Sequence, residues 1–407
     1  MFLRTVLPAI VLVALLGGPL RAQGADYLYA WSGDADTLES DFLAVIDVRP
    51  SSPTYGEVVH TVPVAARATM PHHTEHQLEP DGVLFANGYA AGRTFRFDMR
   101  TAAAPVLAGS FGQQDGYSYP HSFVRLPNGH VLATFQGRGD ARTPPGGLVE
   151  MDREGRVVRS GSARDTTVDS LHLRPYSLAV VPELNRVVST STDMSGDYGA
   201  HVQVWRYSDL ALLATIPLPV TNADDAHRHV GRGTADDEAH HRYPGEPRLL
   251  ADGRTVLLGT FSCGFYRITG LDAEPRAEFV QAFGGMDCAV PALIGSTWIQ
   301  TVPDEHALVA MDVSDPAAPR EVSRLVFDGE FKPHWLAADE AGSRLAVNDG
   351  RGRLFLVQVD RTSGALTLDE SFRDRGAATP GVSFARDAWP HGATGAARPH
   401  GTVFSRP

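Results

Sequence analysis

The stretch Leu126-Pro-Asn-Gly129-His-Val-Leu-Ala133 contains the pattern that decides the fold of this chain. An Asn-Gly pair between two apolar runs predicts a β-hairpin, because the turn requires a positive φ that these residues adopt at little cost. Further copies of the pattern occur at Leu78, Leu250 and Ala338, and weaker ones at Val181–Asn185 and Leu293–Gly295. The chain is therefore built from a repeated hairpin unit.

A second hairpin of alternating apolar and polar residues belongs to each unit and is found seven times. Its copies are Phe42–Val64, Arg93–Phe111, Gly147–Gly161, His201–Leu218, Phe265–Phe283, Ala307–Phe327 and Arg353–Phe372. Four strands in units of roughly 40 to 55 residues are typical of propeller blades. The sequence thus predicts an all-β, seven-bladed β-propeller that forms a single domain over residues 25–407.

The two ends of the chain are expected to share one blade. We predict Tyr27–Trp31 as the inner strand of the first blade and Gly401–Ser405 as its pairing partner. Pairing the two ends closes the ring and removes exposed strand edges.

The first 24 residues have the features of a secretory signal peptide. Arg4 is followed by the apolar stretch Val6–Leu16, and Ala22-Gln-Gly24 offers a small-residue cleavage site. The apolar stretch is shorter than the about 20 residues needed to span a bilayer, so a signal peptide is favoured over a membrane anchor. We therefore expect a periplasmic protein without membrane insertion.

The charge of the chain limits its partners. The formal net charge is −12, and lysine and arginine do not cluster in a run. This balance argues against nucleic acid or an anionic membrane surface as a partner. It leaves the oligomeric state open.

The chain has two cysteines, Cys263 and Cys288. In an oxidising compartment a structural disulfide is the favoured interpretation. The alternative is a thiolate that serves as a metal ligand or nucleophile.

Histidines recur at one position of the repeat. Eight residues before the turn glycine stand His121 and His334, each preceded by proline, and the same count gives Tyr176 and Asp287 in two other copies. This position is predicted to open the innermost strand of each blade. Because innermost strands converge on the axis of a propeller, equivalent residues form a ring there.

Other histidines are predicted to join this ring. His72, His73 and His76 occupy the same place in the first copy, and the Pro-His pairs at His391 and His400 reach it if the chain end folds back over the channel. Imidazole rings suit copper, iron, zinc and nickel, so we predict a metal site. The alternative is a polar channel without a metal. His227, His229, His240 and His241 lie in a long polar loop and are interpreted as solvated.

Several ordered motifs resemble the selenium-binding protein / methanethiol oxidase family. They are Ser40–Asp47, Ser52–Gly56, Pro71-His-His-Thr-Glu-His76, Leu84-Phe-Ala-Asn-Gly88, Tyr119–Phe123 and Leu132–Gln136. The resemblance is densest over residues 27–140. This chain is shorter than typical members and lacks the paired-cysteine motif to which selenium binding has been tied, which puts selenium binding in doubt.

The resemblance implies a periplasmic copper-dependent oxidase. Such an enzyme converts methanethiol, O₂ and water into formaldehyde, hydrogen sulfide and hydrogen peroxide. We expect His73, His76, His121 and His334 to hold the metal, with His72, His391 and His400 as further candidates. Glu75 and Asp287 are the candidate proton-transfer groups.

Two other functions remain open on the sequence. One is a non-enzymatic propeller that binds copper or selenium. The other is a lactonase-like hydrolase that uses a hard cation such as Ca²⁺, which prefers oxygen ligands.

Overall fold

A computed structural model describes residues 24–194, 199–219, 243–282 and 287–407. These residues form seven antiparallel sheets in chain order, which confirms the seven-bladed β-propeller. The described residues contain no α-helix, only short 3₁₀ turns at Ser170–His172, Pro182–Leu184 and Pro303–Glu305. None of their helices has the length and apolar character needed to cross a membrane.

The blades follow each other along the chain, and only blade 1 combines strands from both chain ends. Blade 1 contains β1 (Tyr27–Asp34), β2 (Phe42–Asp47) and β3 (Val58–Pro63). Blade 2 contains β4 (Pro71–Thr74), β5 (Val83–Gly88), β6 (Arg93–Asp98) and β7 (Val106–Phe111). Blade 3 contains β8 (Tyr117–Arg125), β9 (Val131–Arg138), β10 (Gly147–Met151) and β11 (Val157–Ser162). Blade 4 contains β12 (Pro175–Val181), β13 (Arg186–Ser191), β14 (His201–Arg206) and β15 (Leu212–Pro217). Blade 5 contains β16 (Pro244–Leu249), β17 (Val256–Thr260), β18 (Gly264–Thr269) and β19 (Arg276–Ala282).

Blades 6 and 7 and the closing strands complete the ring. Blade 6 contains β20 (Ala292–Ile294), β21 (Thr297–Val302), β22 (Ala307–Asp312) and β23 (Arg320–Val326). Blade 7 contains β24 (Trp335–Ala338), β25 (Arg344–Asn348), β26 (Arg353–Val359), β27 (Leu366–Leu368) and β28 (Val382–Ser383). The closing strands are β29 (Ala385–Arg386) and β30 (Gly395–Phe404), which belong to blade 1.

Burial within a blade falls from the axis outward. The second strand β5 is buried at every position, whereas the outermost strand β7 alternates between exposed and half-buried residues. A middle strand packs on neighbouring blades with both faces, while an outer strand has one face in solvent. An apolar layer consequently lies between each adjacent pair of blades and stabilises the ring.

Ring closure differs in one respect from the prediction. Leu28, Tyr29 and Ala30 pair with Phe404, Val403 and Thr402, so the C-terminal segment does close blade 1. The innermost strand of that blade is β30, however, and β1 is the second strand. The prediction that Tyr27–Trp31 is the inner strand was wrong, because the chain end completes the blade from the axis side.

Cys263 and Cys288 form the disulfide that the sequence favours. It closes a loop with a sequence separation of 25 residues. On the chain-entropy model such a loop lowers the entropy of the unfolded chain enough to stabilise the fold by about 3 to 4 kcal/mol.

Changing both cysteines to serine is expected to lower the free energy of unfolding by about this amount. Urea unfolding with and without a reductant measures it. A double variant whose unfolding midpoint equals that of the oxidised wild type would contradict the entropic contribution.

Candidate metal centre

Five histidines meet at the axis, and we call them the histidine cluster. His72 and His73 lie on β4, His121 on β8 and His400 on β30, and His334 directly precedes β24. One ring nitrogen from each of His72, His73 and His121 lies within 4.8 Å of the others. The ring of His400 is 4.1 Å from that of His72, and its Nε2 is 3.0 Å from Nε2 of His334.

The protein keeps these imidazoles neutral. Burial, reinforced by the neighbouring imidazoles, holds the pKa of His72, His73 and His400 well below the ordinary value. Burial also lowers the pKa of His121 to about 3 and that of His334 to about 4. A neutral imidazole has a lone pair, which is the form that binds a metal.

The tautomer of His121 follows from its hydrogen bonds. Its Nδ1 lies 2.8 Å from the carbonyl oxygen of Tyr176, which can only accept, so the proton is on Nδ1. Nε2 of His121 therefore presents its lone pair to the cluster. A backbone carbonyl that fixes the ring of a histidine in this way is typical of metal ligands.

Three ring nitrogens of the cluster have no hydrogen-bond partner among the described residues. They are Nδ1 of His72, Nε2 of His73 and Nδ1 of His400, and all are buried. Buried polar atoms are nearly always paired, so these atoms indicate a missing partner. Unpartnered nitrogens in an all-imidazole set fit a transition-metal ion, since imidazole suits copper, iron, zinc and nickel.

Two asparagines hold the strands that carry the cluster. Asn87 accepts a hydrogen bond from the backbone N–H of His73 (2.6 Å) and donates to the carbonyls of Pro120 (2.7 Å) and His121 (3.2 Å). Asn348 of blade 7 likewise donates to the carbonyl of His400 at 2.6 Å. Each asparagine thus joins its own blade to the histidine strand of the next one.

The change Asn87→Ala is expected to weaken the binding of a metal ion at the cluster about 10- to 100-fold, because it frees two of the strands that hold the cluster. Competition for copper with a chelator of known affinity measures this loss. Asn128→Ala is the matched control, since Asn128 is exposed and, among the described residues, bonds only to His130 and Glu150. Equal copper affinity in the two variants would exclude the positioning role.

A cavity of about 480 Å³ opens above the cluster, and we call it the mouth cavity. His72, His334 and His400 line its floor, and Tyr176 and Phe261 stand on its wall. The ring of Tyr176 lies 3.9 Å from that of His121. A small molecule in this cavity therefore contacts the cluster directly.

The structure does not bring His76 and His391 into the cluster. His76 stacks on Trp335 and lies 3.3 Å from Arg248, beside a separate cavity of about 600 Å³ at the other end of the channel. His391 bonds to Thr61 of β3, far out in blade 1. His227, His229, His240 and His241 lie outside the described residues.

Glu75 is buried beside Arg125. Arg125 donates to both carboxylate oxygens of Glu75, at 3.0 and 3.1 Å, and the backbone N–H of Phe85 donates to Oε2. Burial raises the pKa of Glu75 to about 7, and Arg125 opposes the rise. The geometry gives this carboxylate a cationic partner, and its part in proton transfer stays a prediction.

Asp287 differs from its predicted place. It is exposed on the wall of the mouth cavity, five residues before β20, and does not open that strand. The hairpin of blade 6 has only two residues between Ile294 and Thr297. Counting eight residues back from Gly295 therefore reaches a residue that lies before the start of the innermost strand. Val290, whose N–H bonds to the carbonyl of His334, takes the inner position instead.

Several residues at the site were not predicted from the sequence. Asn87, Asn348, Ser122 and Trp335 all contact the cluster or its strands. The two asparagines close the second strand of their blades in Leu84–Gly88 and Leu345–Asn348. The recurrence of an asparagine near the end of the second strand in both blades is the sequence feature that could have identified them.

Comparison with known proteins gives partial matches. No family model matches the chain. It is 30% identical over 183 residues to a methanethiol oxidase from Hyphomicrobium sp., covering 40% of this chain and 38% of the relative. It is 25% identical over 214 residues to selenium-binding protein 3 from Arabidopsis thaliana, covering 44% and 42%. The matches thus span about half or less of the curated relatives.

Solved structures support the fold. A hypothetical selenium-binding protein from Sulfolobus tokodaii superimposes with a TM-score of 0.70 at 17% identity, over 95% of this chain and 94% of the other. A periplasmic gluconolactonase from Pseudomonas aeruginosa gives a TM-score of 0.57 at 16% identity, over 84% and 94%. The curated relatives show that part of this chain is similar to selenium-binding proteins and methanethiol oxidases, and the solved structures show that it shares the propeller fold.

Proposed function

We propose that this protein is a periplasmic, copper-dependent oxidase of a small thiol. The observation that carries the proposal is the histidine cluster, with its unpartnered buried nitrogens below an open cavity. The curated relatives named methanethiol oxidase support the reaction class. Methanethiol, O₂ and water would yield formaldehyde, hydrogen sulfide and hydrogen peroxide.

Copper would supply electron transfer to O₂ and would favour the thiolate form of the substrate. His72, His73 and His121 would hold the ion, and His334 and His400 lie close enough to complete or orient its ligands. Tyr176 fixes the ring of His121 through its carbonyl and covers it with its own ring. The blades around the cluster exclude bulk water from all but its upper side.

The test is O₂ consumption by the copper-loaded mature protein with methanethiol, with hydrogen peroxide and hydrogen sulfide measured alongside. We expect one hydrogen peroxide for each O₂ consumed and no uptake by the metal-free protein. Copper that binds tightly without any O₂ uptake on methanethiol or other small thiols would overturn the oxidase proposal.

That outcome would favour the second candidate, a propeller that binds copper without turnover. Its support is that the three groups that could hold the metal are all imidazoles, and none of them is a carboxylate that could transfer a proton. Both cysteines of the chain are in the disulfide, so no free thiol is available to bind selenium. For this second candidate, copper therefore fits the protein better than selenium does. A calcium-dependent hydrolase fits less well, because Ca²⁺ requires oxygen ligands.

A further inference from the structure

Beside the mouth cavity lies a cavity of about 670 Å³. It lies between the segment that joins blades 6 and 7 and the C-terminal extension that follows β27. Its base is formed by Phe327, Phe331 and Phe355, whose ring centroids are 4.6 to 5.3 Å apart. We call it the phenylalanine pocket. Concave, mostly apolar cavities of this size are typical of small-molecule sites.

Two arginines in its wall have unused hydrogen-bond donors. Nε of Arg353 is buried without a partner among the described residues, while its Nη2 donates to the carbonyl of Pro380. Arg373 makes only long hydrogen bonds, of 3.5 and 3.4 Å, to the carbonyls of Ala377 and Ala378. In the described part of the chain neither guanidinium has a carboxylate within ion-pair distance. Guanidinium groups that line a cavity without an ion-pair partner favour an anionic ligand.

Acidic residues also line the pocket, but they do not neutralise its inner wall. Asp328, Glu330 and Glu370 are exposed at the rim, where solvent screens their charge. The fourth, Asp349, accepts three backbone N–H groups from the turn that follows it. Two guanidinium groups without a carboxylate within ion-pair distance in the described part of the chain therefore lie next to the aromatic base.

We propose that the phenylalanine pocket binds a small carboxylate with an aromatic body. The ring packs edge-to-face or offset against the phenylalanines. The carboxylate accepts charge-assisted hydrogen bonds from Arg353 and Arg373. This binding site does not depend on copper or on the oxidase function, although the pocket shares Asp349 and Arg351 with the mouth cavity.

The experiment is calorimetric titration of the metal-free mature protein with 3-phenylpropionate. We expect saturable binding at sub-millimolar concentration, and at least tenfold weaker binding of 3-phenylpropanol, which keeps the ring but lacks the charge. Arg373→Gln is expected to weaken the binding of 3-phenylpropionate at least tenfold. Arg164→Gln is the matched control, because Arg164 is exposed on blade 3, and it is expected to bind as the wild type does.

Arg353→Lys provides a second variant if Arg373→Gln lowers the melting temperature. It keeps a positive charge but removes the planar guanidinium that pairs with a carboxylate, so it is also expected to weaken the binding of 3-phenylpropionate. The proposal is overturned if 3-phenylpropionate shows no saturable binding at millimolar concentration, if the alcohol binds equally well, or if a folded variant at either arginine keeps full affinity.

Discussion

Replacing His121 by alanine is expected to reduce the copper content of the purified protein at least tenfold. His121 supplies one of three ring nitrogens that lie within 4.8 Å of each other. Its tautomer is fixed by the carbonyl of Tyr176, so its Nε2 is directed into the cluster without a cost in reorganisation. Loss of a preorganised ligand leaves two imidazoles at the core of the site, and copper affinity falls accordingly.

The measurement is elemental analysis of protein purified from copper-supplied cells. His121→Asn is the more conservative variant, since its amide can still donate to the Tyr176 carbonyl but offers no ring nitrogen. His391→Ala is the matched control, because the structure places His391 against Thr61 and Phe42 in the outer part of blade 1. The control is expected to retain wild-type copper.

Two results would contradict this assignment. Wild-type copper in a folded His121→Asn variant would mean that the ion binds elsewhere. A wild type that takes up no copper would mean that the cluster is a structural feature of the channel. Combining His121→Ala with His334→Ala removes two imidazoles of the cluster, and copper is then expected to be lost completely.

The repeat pattern of the sequence predicted the fold well because hairpin turns have strong local signals. Asn-Gly and Asp-Gly pairs mark the blades in residues 78–82, 126–129 and 250–253 without any tertiary information. The order of strands in blade 1 could not be predicted in this way. Which chain end lies nearer the axis depends on packing between residues almost 380 positions apart, such as Leu28 and Phe404.

The candidate site was predicted in part. His121 and His334 were found because their distance from a turn is constant in most blades. His76 has the right residue type but lies beyond the end of β4, on the other side of Trp335 from His73. A strand advances about 3.3 Å per residue, so His76 lies too far along the chain from His73 to reach the cluster, and the sequence spacing alone does not show this.

Removing residues 395–407 is expected to abolish cooperative folding. The truncation deletes β30, the innermost strand of blade 1, and leaves the inner edge of β1 without hydrogen-bond partners. It also removes the buried side chains of Val403 and Phe404. Burial of such a side chain contributes about 1.5 to 3 kcal/mol. Two of them make up a large part of the 5 to 15 kcal/mol by which a typical domain is stable.

The deleted strand also joins blade 1 to its neighbour, blade 7. The carbonyl of Thr402 accepts from Nε1 of Trp335 at 3.2 Å, and the carbonyl of His400 accepts from Asn348. Oγ of Ser405 accepts from the backbone N–H groups of Asp26 and Tyr27. Without these bonds, blades 7 and 1 lose contacts on one side of the ring. An open propeller exposes edges that aggregate.

Thermal unfolding followed by circular dichroism measures this effect, with limited proteolysis as a second measure. Truncation after Ser405 is the control, since it removes only the exposed Arg406 and Pro407 and one surface ion pair to Glu340. That variant is expected to unfold at the wild-type temperature. Phe404→Ala gives the graded case, with an expected loss of about 3 to 5 kcal/mol from the buried side chain. If the longer truncation unfolds with the wild-type midpoint, blade 1 is stable without its inner strand, and ring closure does not hold the propeller together.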